Sequence, residues 1–187
     1  WIQVAPDRFD GTELSKDEWH DNITTRYGMR PKGLPHRCDG CNTGFSVEHG
    51  LSCKKGGLVT IRHDDLRDEF VHLCGLALTE ARVSSEPTIF YGNGTSARRG
   101  NQSTEDEVGD ESRGDVYAHG LWRRGIGTVM DCRITDTDAK SYGNVASAKI
   151  LARHAREKKK KYEEACRERR RDFVPLVYSV DGMPCKE

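Results

Sequence analysis

Three cysteines and one histidine lie close together in the sequence, and they constrain the fold more than any other feature. Cys38, Cys41, His49 and Cys53 are separated by two, seven and three residues. A two-residue gap lets both cysteines of a pair reach one ion, and three thiolates with one imidazole form a tetrahedral donor set that suits zinc. Because protein groups would fill all four positions, the spacing predicts a structural zinc site.

Two other interpretations of this cluster stay open. The cysteines are unpaired thiols beside a coincidental histidine, or His36 or His63 takes the place of His49. The chain has seven cysteines, an odd number, and its apolar runs are too short for a signal peptide or a membrane span. These features favour a nuclear or cytoplasmic protein with a metal site and no membrane partner over a disulfide framework.

The charges are segregated along the chain, although the net charge is zero. Residues 101–115 carry six acids against one arginine, whereas residues 151–171 carry ten bases against four acids. Such a basic segment is either a solvated helix face or a surface for a polyanion. We expect phosphate contacts from this segment, at Lys158, Lys159, Arg167 and Arg170.

Hydrophobic periodicity predicts an α/β fold with a mixed sheet flanked by helices, behind an N-terminal zinc-binding loop module. Ser15 and Glu18 predict a capping box at the start of the first helix. The predicted helices are 15–27, 63–82 and 146–170, and the predicted strands are 88–91, 115–122, 128–135 and 173–180. We divide the chain into residues 1–62, with the first helix and the zinc module, and residues 63–187, with a flexible insertion at 92–112.

Two aspartates mark the predicted sheet as a candidate catalytic site. Asp115 starts one strand and Asp131 lies in the next, so their carboxylates converge if the strands form a hairpin. Carboxylate oxygens on neighbouring strands can bind Mg²⁺, which orients a phosphodiester and activates water. Arg133, two residues after Asp131, points to the same sheet face. The alternative is that both aspartates are ordinary polar residues of strand ends and exposed faces.

Several segments spread over residues 15–182 together match one known pattern. They are Cys38-Asp39-Gly40-Cys41, Phe45 to Cys53, Arg62-His63, Leu66-Arg67-Asp68, Arg113-Gly114-Asp115-Val116, Asp131 to Ala139, Glu157 to Tyr162 and Phe173 to Leu176. These segments resemble the restriction-like endonuclease domain of site-specific non-LTR retrotransposons. That domain has a PD-(D/E)xK nuclease fold behind a Cys-Cys-His-Cys zinc knuckle.

The resemblance implies a restriction-endonuclease-like α-β-β-β-α-β core, which is also the element order that periodicity predicts. It implies that Asp115 and Asp131 are the two motif acids, and that Glu86 matches a helix-adjacent acid found in some members. The implied activity is Mg²⁺-dependent cleavage of DNA to leave a 3′-hydroxyl that primes reverse transcription. An RNA template and a reverse transcriptase in a parent polyprotein would be further partners.

Two departures from the motif separate the functional hypotheses. Gly114 stands where the family has proline, and Arg133 stands where it has lysine. Arginine stays protonated and does not easily relay a proton, so the family pattern assigns the role to a helix lysine, Lys160 or Lys161. Without such a lysine the chain would be a catalytically decayed, zinc-containing nucleic-acid-binding module. A third hypothesis is a protein-interaction domain stapled by zinc.

Overall fold

The computed structural model describes residues 7–9, 13–56, 58–78, 82–90 and 112–186. The chain divides into two compact units, Trp1–Thr60 and Ile61–Glu187. The predicted insertion at 92–112 lies outside the described residues, apart from Ser112. No helix among the described residues combines the length and apolarity needed to cross a membrane.

The N-terminal unit contains two short helices, α1 (Lys16–Arg26) and α2 (Val47–Ser52). The predicted capping box begins α1: the Glu18 amide donates to the Ser15 hydroxyl at 3.2 Å, and the Ser15 amide donates to the Glu18 carboxylate at 2.8 Å. Reciprocal bonds of this kind satisfy two of the backbone donors that a helix start leaves without partners. The sequence therefore placed the start of this helix correctly.

The C-terminal unit is built on a four-stranded mixed sheet, as predicted. The elements that follow α2 are α3 (Leu58–Ala77), β1 (Val83–Ser85), β2 (Thr88–Phe90), β3 (Ser112–Arg113), β4 (Val116–His119), β5 (Gly127–Thr135), α4 (Ser147–Glu168) and β6 (Arg171–Ser179). The strand order of the main sheet is β1-β4-β5-β6, with antiparallel β1–β4 and β4–β5 pairs and a parallel β5–β6 pair. Strands β2 and β3 form a separate two-stranded sheet.

Helices cover both faces of the four-stranded sheet because neighbouring side chains of each strand point to opposite faces. On one face Cys74 of α3 packs with Val116, Ala118 and Met130. On the other face Tyr162 and Cys166 of α4 pack with Val129 and Phe173. The prediction of a mixed sheet flanked by helices is thus confirmed.

Several elements differ from the sequence prediction. Helix α3 runs from Leu58 to Ala77 rather than over 63–82, because the β-branched residues before His63 disfavour a helix only slightly. The strand predicted at 115–122 is β4, Val116–His119, which ends where Gly120 begins the turn with a positive φ. The first strand of the main sheet is β1, a three-residue, largely exposed edge that has no recognisable period. The predicted strand at 88–91 is β2, which pairs with β3 outside the main sheet.

Candidate metal centre and carboxylate site

The N-terminal unit brings the four predicted zinc ligands together. The ligand atoms of Cys38, Cys41, His49 and Cys53 all lie within 4.8 Å of one another. Cys53 Sγ is 3.8 Å from Cys38 Sγ and 3.8 Å from Cys41 Sγ. Two sulfurs bound to one tetrahedral zinc at about 2.3 Å would be about 3.8 Å apart, and a disulfide would hold them at about 2.05 Å. The donor set therefore fits one zinc ion.

Local sequence explains why these ligands meet. Ser46 caps α2 by accepting a hydrogen bond from the His49 amide at 3.1 Å, which fixes the imidazole on the first turns of the helix. Gly40 lies so close to the following loop that a Cβ there would be 2.3 Å from the Lys55 carbonyl oxygen. Only glycine permits this approach, so Gly40 lets the two halves of the ligand loop close on each other.

One thiol of the cluster is already in its metal-binding form at neutral pH. Hydrogen bonding to Thr43 lowers the pKa of the Cys41 thiol to about 6, so this sulfur is a thiolate at neutral pH, the form that binds a metal. His49 Nε2 lies 3.2 Å from Cys41 Sγ. His36, one of the alternative ligands, is exposed, whereas His63 contacts Asp115 in the C-terminal unit. Of the three histidines, His49 is the one in the cluster.

In the C-terminal unit Asp115 and Asp131 lie beside each other where the β4–β5 pairing ends. The β4–β5 register ends at the pair Val116 and Met130, so Asp115 immediately precedes β4 and Asp131 follows Met130 on β5. The Asp115 amide donates to the Met130 carbonyl at 3.0 Å. The two strands thus form an antiparallel pair, and the two carboxylates interact directly.

The two carboxylates have opposite pKa shifts. Burial raises the pKa of Asp131 to about 6, against the opposing influence of Lys158. Burial also disfavours the ionised form of Asp115, but hydrogen bonds from His63 and from the Cys132 amide outweigh it and lower the pKa of that carboxyl. A pair of interacting acids separated in this way is a recurrent feature of functional sites.

Lys158 is the lysine that reaches the carboxylate pair. Its ammonium group makes a short ion pair with Asp131 Oδ2, and its side chain is only 17% exposed. The aspartate side chain is 8% exposed, so the pair lies in a largely dehydrated position where electrostatic interactions are stronger than in water. Lys158 thus supplies the cation beside Asp131.

Helix α3 supplies a histidine and an arginine that the sequence did not predict for this site. His63 Nε2 lies 3.3 Å from Asp115 Oδ2, and this hydrogen bond raises the pKa of the imidazole. One turn later Arg67 pairs with Glu86 at 3.1 Å. Glu86, which also faces Arg113 at 3.7 Å, has a positive φ of 49°, and its amide donates to the Asp115 carbonyl at 2.9 Å. Glu86 therefore braces the backbone of Asp115.

The other predicted site residues lie on α4 or beside it. Arg133 pairs with Glu157 of α4 at 3.1 Å, on the same sheet face as Asp131.

The remaining predicted residues lie along α4 and just after it. Lys160 and Lys161 are exposed, and Lys161 lies over the Tyr162 ring. Lys159 is half-buried, Arg167 pairs with Glu164 at 2.8 Å, and Arg170 is exposed with a positive φ of 54°.

Helical periodicity contained a signal for the two residues that sequence reasoning misplaced. Lys158 lies on the buried stripe of α4, between Ala155 and Tyr162, at spacings of three and four. His63 extends the sheet-facing side of α3 toward its N-terminus, eleven residues before the buried Cys74. A charged or polar residue on an apolar stripe must meet a polar partner, and here the partners are the two aspartates.

The glycine at 114 has a structural reason. A Cβ at Gly114 would lie 2.5 Å from Val129 Cγ1, and the Gly114 amide donates to the Pro87 carbonyl at 2.9 Å. Proline would remove that donor and add bulk. The glycine at this position therefore follows from the packing of this chain.

We expect Gly114→Ala to destabilise the C-terminal unit by about 1–3 kcal/mol, because the buried valine has to shift. Thermal unfolding should show a lower Tm than for the wild type. Gly44→Ala is the control, since a Cβ there meets nothing within 4 Å. An unchanged Tm for Gly114→Ala would contradict the close packing.

No protein-family model matches the chain, and no curated protein shows significant similarity to it.

Proposed function

We propose that the C-terminal unit is a metal-dependent DNA endonuclease of the restriction-endonuclease-like class, and that the N-terminal cluster holds a structural zinc ion. The observation that carries the nuclease proposal is the contact between the carboxylates of Asp115 and Asp131, with Lys158 beside Asp131. The order α3, β1, β4, β5, α4, β6 supports it, because it matches the α-β-β-β-α-β core that the sequence resemblance implies.

The residues at the pair suit the chemistry of phosphodiester hydrolysis. The hard oxygens of Asp115 and Asp131 fit Mg²⁺, whose bound form would polarise the phosphate and lower the pKa of water. Lys158 is positioned to hold that water and to stabilise negative charge developing on the phosphate. Water oxygen bonds to phosphorus while the bond to O3′ breaks, and a proton passes to the departing 3′ oxygen, leaving a 3′-hydroxyl and a 5′-phosphate.

Other residues of the site position Asp115, Asp131 and Lys158. His63 donates to Asp115 and keeps that carboxylate ionised and oriented. Arg133 faces Glu157 rather than the carboxylate pair, so in this proposal it positions α4 and leaves the role of the motif lysine to Lys158. Lys160 and Lys161 are exposed, so in this proposal they contribute to phosphate binding instead.

A second candidate is a catalytically decayed nucleic-acid-binding module. The observation that favours it is Arg133 at the position of the motif lysine, where it forms an ion pair with Glu157. Such a module would bind DNA in a salt-dependent manner without cleaving it. A nicking assay on supercoiled plasmid with Mg²⁺ separates the two candidates.

We expect Lys158→Met to reduce plasmid nicking at least about a hundredfold, because one charge-stabilising group at a reacting phosphate contributes on this scale. Lys149→Met is the matched control: it removes the same charge from an exposed position of the same helix and should keep nicking within about threefold of the wild type. Circular dichroism establishes that both variants fold. Equal losses in the two variants would show that Lys158 contributes only general attraction to DNA.

A further inference from the structure

The turn between β4 and β5 holds a tryptophan out into solvent. Trp122 is 65% exposed, whereas the preceding Leu121 packs against the core on the α3 face of the sheet. A single exposed apolar residue is common on protein surfaces. The rigidity of this turn and the charges around it are what distinguish Trp122.

The turn is fixed at several points. The Gly120 amide donates to the Ile126 carbonyl at 2.8 Å, and the Ile126 amide donates to the Arg123 carbonyl at 3.1 Å. Arg123 anchors the turn to β6 through two hydrogen bonds to the Asp172 carboxylate, one of them 3.1 Å long. A ring presented by a fixed backbone loses little conformational entropy when it binds a ligand.

The same end of the sheet is rich in arginine. The β5–β6 register pairs Gly127 with Arg171, so the end of α4 and the start of β6 lie beside the turn. We define the arginine edge as Arg123, Arg124, Arg169, Arg170 and Arg171. Within this edge Arg123 pairs with Asp172, and Arg171 donates to the Thr88 carbonyl and lies over the Tyr117 ring.

Arg124 and Arg170 are exposed, which leaves their guanidinium groups accessible to an external anion. Arginines that bind phosphates beside an aromatic ring that stacks on a base are the combination used for single-stranded nucleic acid. An acidic peptide would pair with the arginines but has no planar group for the indole. The arrangement therefore favours a nucleic acid with an unpaired base.

The distance from the carboxylate pair to the turn is one that a single strand of DNA would span in a few nucleotides. Asp131 lies four residues along β5 from Gly127, which is about 13 Å at 3.3 Å per residue. Consecutive stacked nucleotides rise about 3.4 Å, and an extended strand covers the distance in fewer steps. A strand with a phosphate at Asp131 would thus reach the turn within about two to four nucleotides.

From these observations we infer that Trp122 is a stacking platform for an unpaired base, with Arg124 and Arg170 binding the adjacent phosphates. The choice of DNA as the ligand rests on the proposed nuclease function. The inference adds a binding subsite at the turn that begins β5, about 13 Å from Asp131, and a substrate form, single-stranded DNA next to the cleaved bond.

Fluorescence tests the stacking directly. The chain has three tryptophans, so Trp1→Phe combined with Trp19→Phe leaves Trp122 as the only indole. This protein is titrated with a labelled twelve-nucleotide thymidine oligomer, without Mg²⁺ and without a chelator that would remove zinc. We expect the Trp122 emission to be quenched as the oligomer binds. Binding of the oligomer with unchanged Trp122 emission, or no binding at low salt, would overturn the inference.

Substitution of Trp122 separates base stacking from nonspecific binding of the oligomer. Trp122→Ala and Trp122→Leu should each weaken binding of the oligomer about tenfold, and Trp122→Phe about twofold, because only aromatic rings stack. Equal affinity of the leucine variant and the wild type for the oligomer would overturn the inference. So would polyglutamate, if it displaced the oligomer completely and quenched the Trp122 emission to the same extent. The exposed position of Trp122 makes unfolding of these variants unexpected, and circular dichroism checks it.

The nicking assay, run in parallel, distinguishes failure of this inference from failure of the proposed function. Quenching and the affinity losses without any nicking by the wild type would retain the stacking site and reject the endonuclease. Nicking by a protein whose Trp122 emission does not change when the oligomer is added would retain the endonuclease and reject the stacking site.

Discussion

Asp131→Asn is expected to abolish plasmid nicking, with a loss of at least about a thousandfold. Asparagine keeps the shape of the side chain but removes the charge and weakens the metal ligand, so chemistry is lost while the strand stays in place. Asp131 is buried and interacts with Lys158 and Asp115, which makes it the most constrained group of the site. Gel analysis of supercoiled and nicked plasmid measures the effect.

Asp138→Asn is the matched control, because Asp138 is exposed and the substitution changes the charge by the same amount. It should nick at the wild-type rate. DNA binding by Asp131→Asn should be equal to or tighter than that of the wild type, since one negative charge is removed from the binding face. Nicking by Asp131→Asn at the wild-type rate would reject the proposed catalytic site.

The raised pKa of Asp131 also predicts the pH dependence of nicking. This carboxyl has a pKa of about 6 because it is buried, so it binds a proton as the pH falls through 6. A protonated carboxyl is a poor ligand for Mg²⁺, and at subsaturating Mg²⁺ the rate should fall about tenfold per pH unit below 6. Raising the Mg²⁺ concentration should move the midpoint to lower pH.

Removal of the zinc ligands is expected to unfold the N-terminal unit. Structural zinc contributes about 10–16 kcal/mol of apparent binding free energy in small zinc modules, more than most small domains have as total stability. His49→Ala and Cys53→Ala should therefore lose the metal, and amide resonances of residues 13–56 should collapse to the narrow dispersion of an unfolded chain. The wild type should release one zinc per chain to a metal-sensitive dye.

His36→Ala tests the choice of histidine. His36 is exposed, and it lies close in sequence to the same cysteines. Its substitution should leave one zinc per chain and an unchanged spectrum. Retention of zinc and of the fold by His49→Ala would instead show that the three cysteines suffice or that another histidine replaces His49.

Helix α4 illustrates how far sequence reasoning could go at the carboxylate site. Four consecutive lysines cover all sides of a helix, so the sequence required at least one of them to point inward. Deciding which one depended on the phase of the buried stripe relative to the sheet, and that phase follows from packing of Ala155 and Tyr162 on β5 and β6. The structure places Lys158 there, and Lys160 and Lys161 in solvent.

The sequence by itself determined the features whose parts lie close along the chain. The zinc ligands span one short loop, the capping box joins residues three apart, and the long helices and strands have clear periods, so local chemistry specifies them. Only the tertiary structure decided which distant residues meet: Asp115 with Asp131, Lys158 from α4, and His63 from α3. Their meeting depends on strand register and on helix rotation over the sheet, and both are set by packing of the whole core rather than by any local segment.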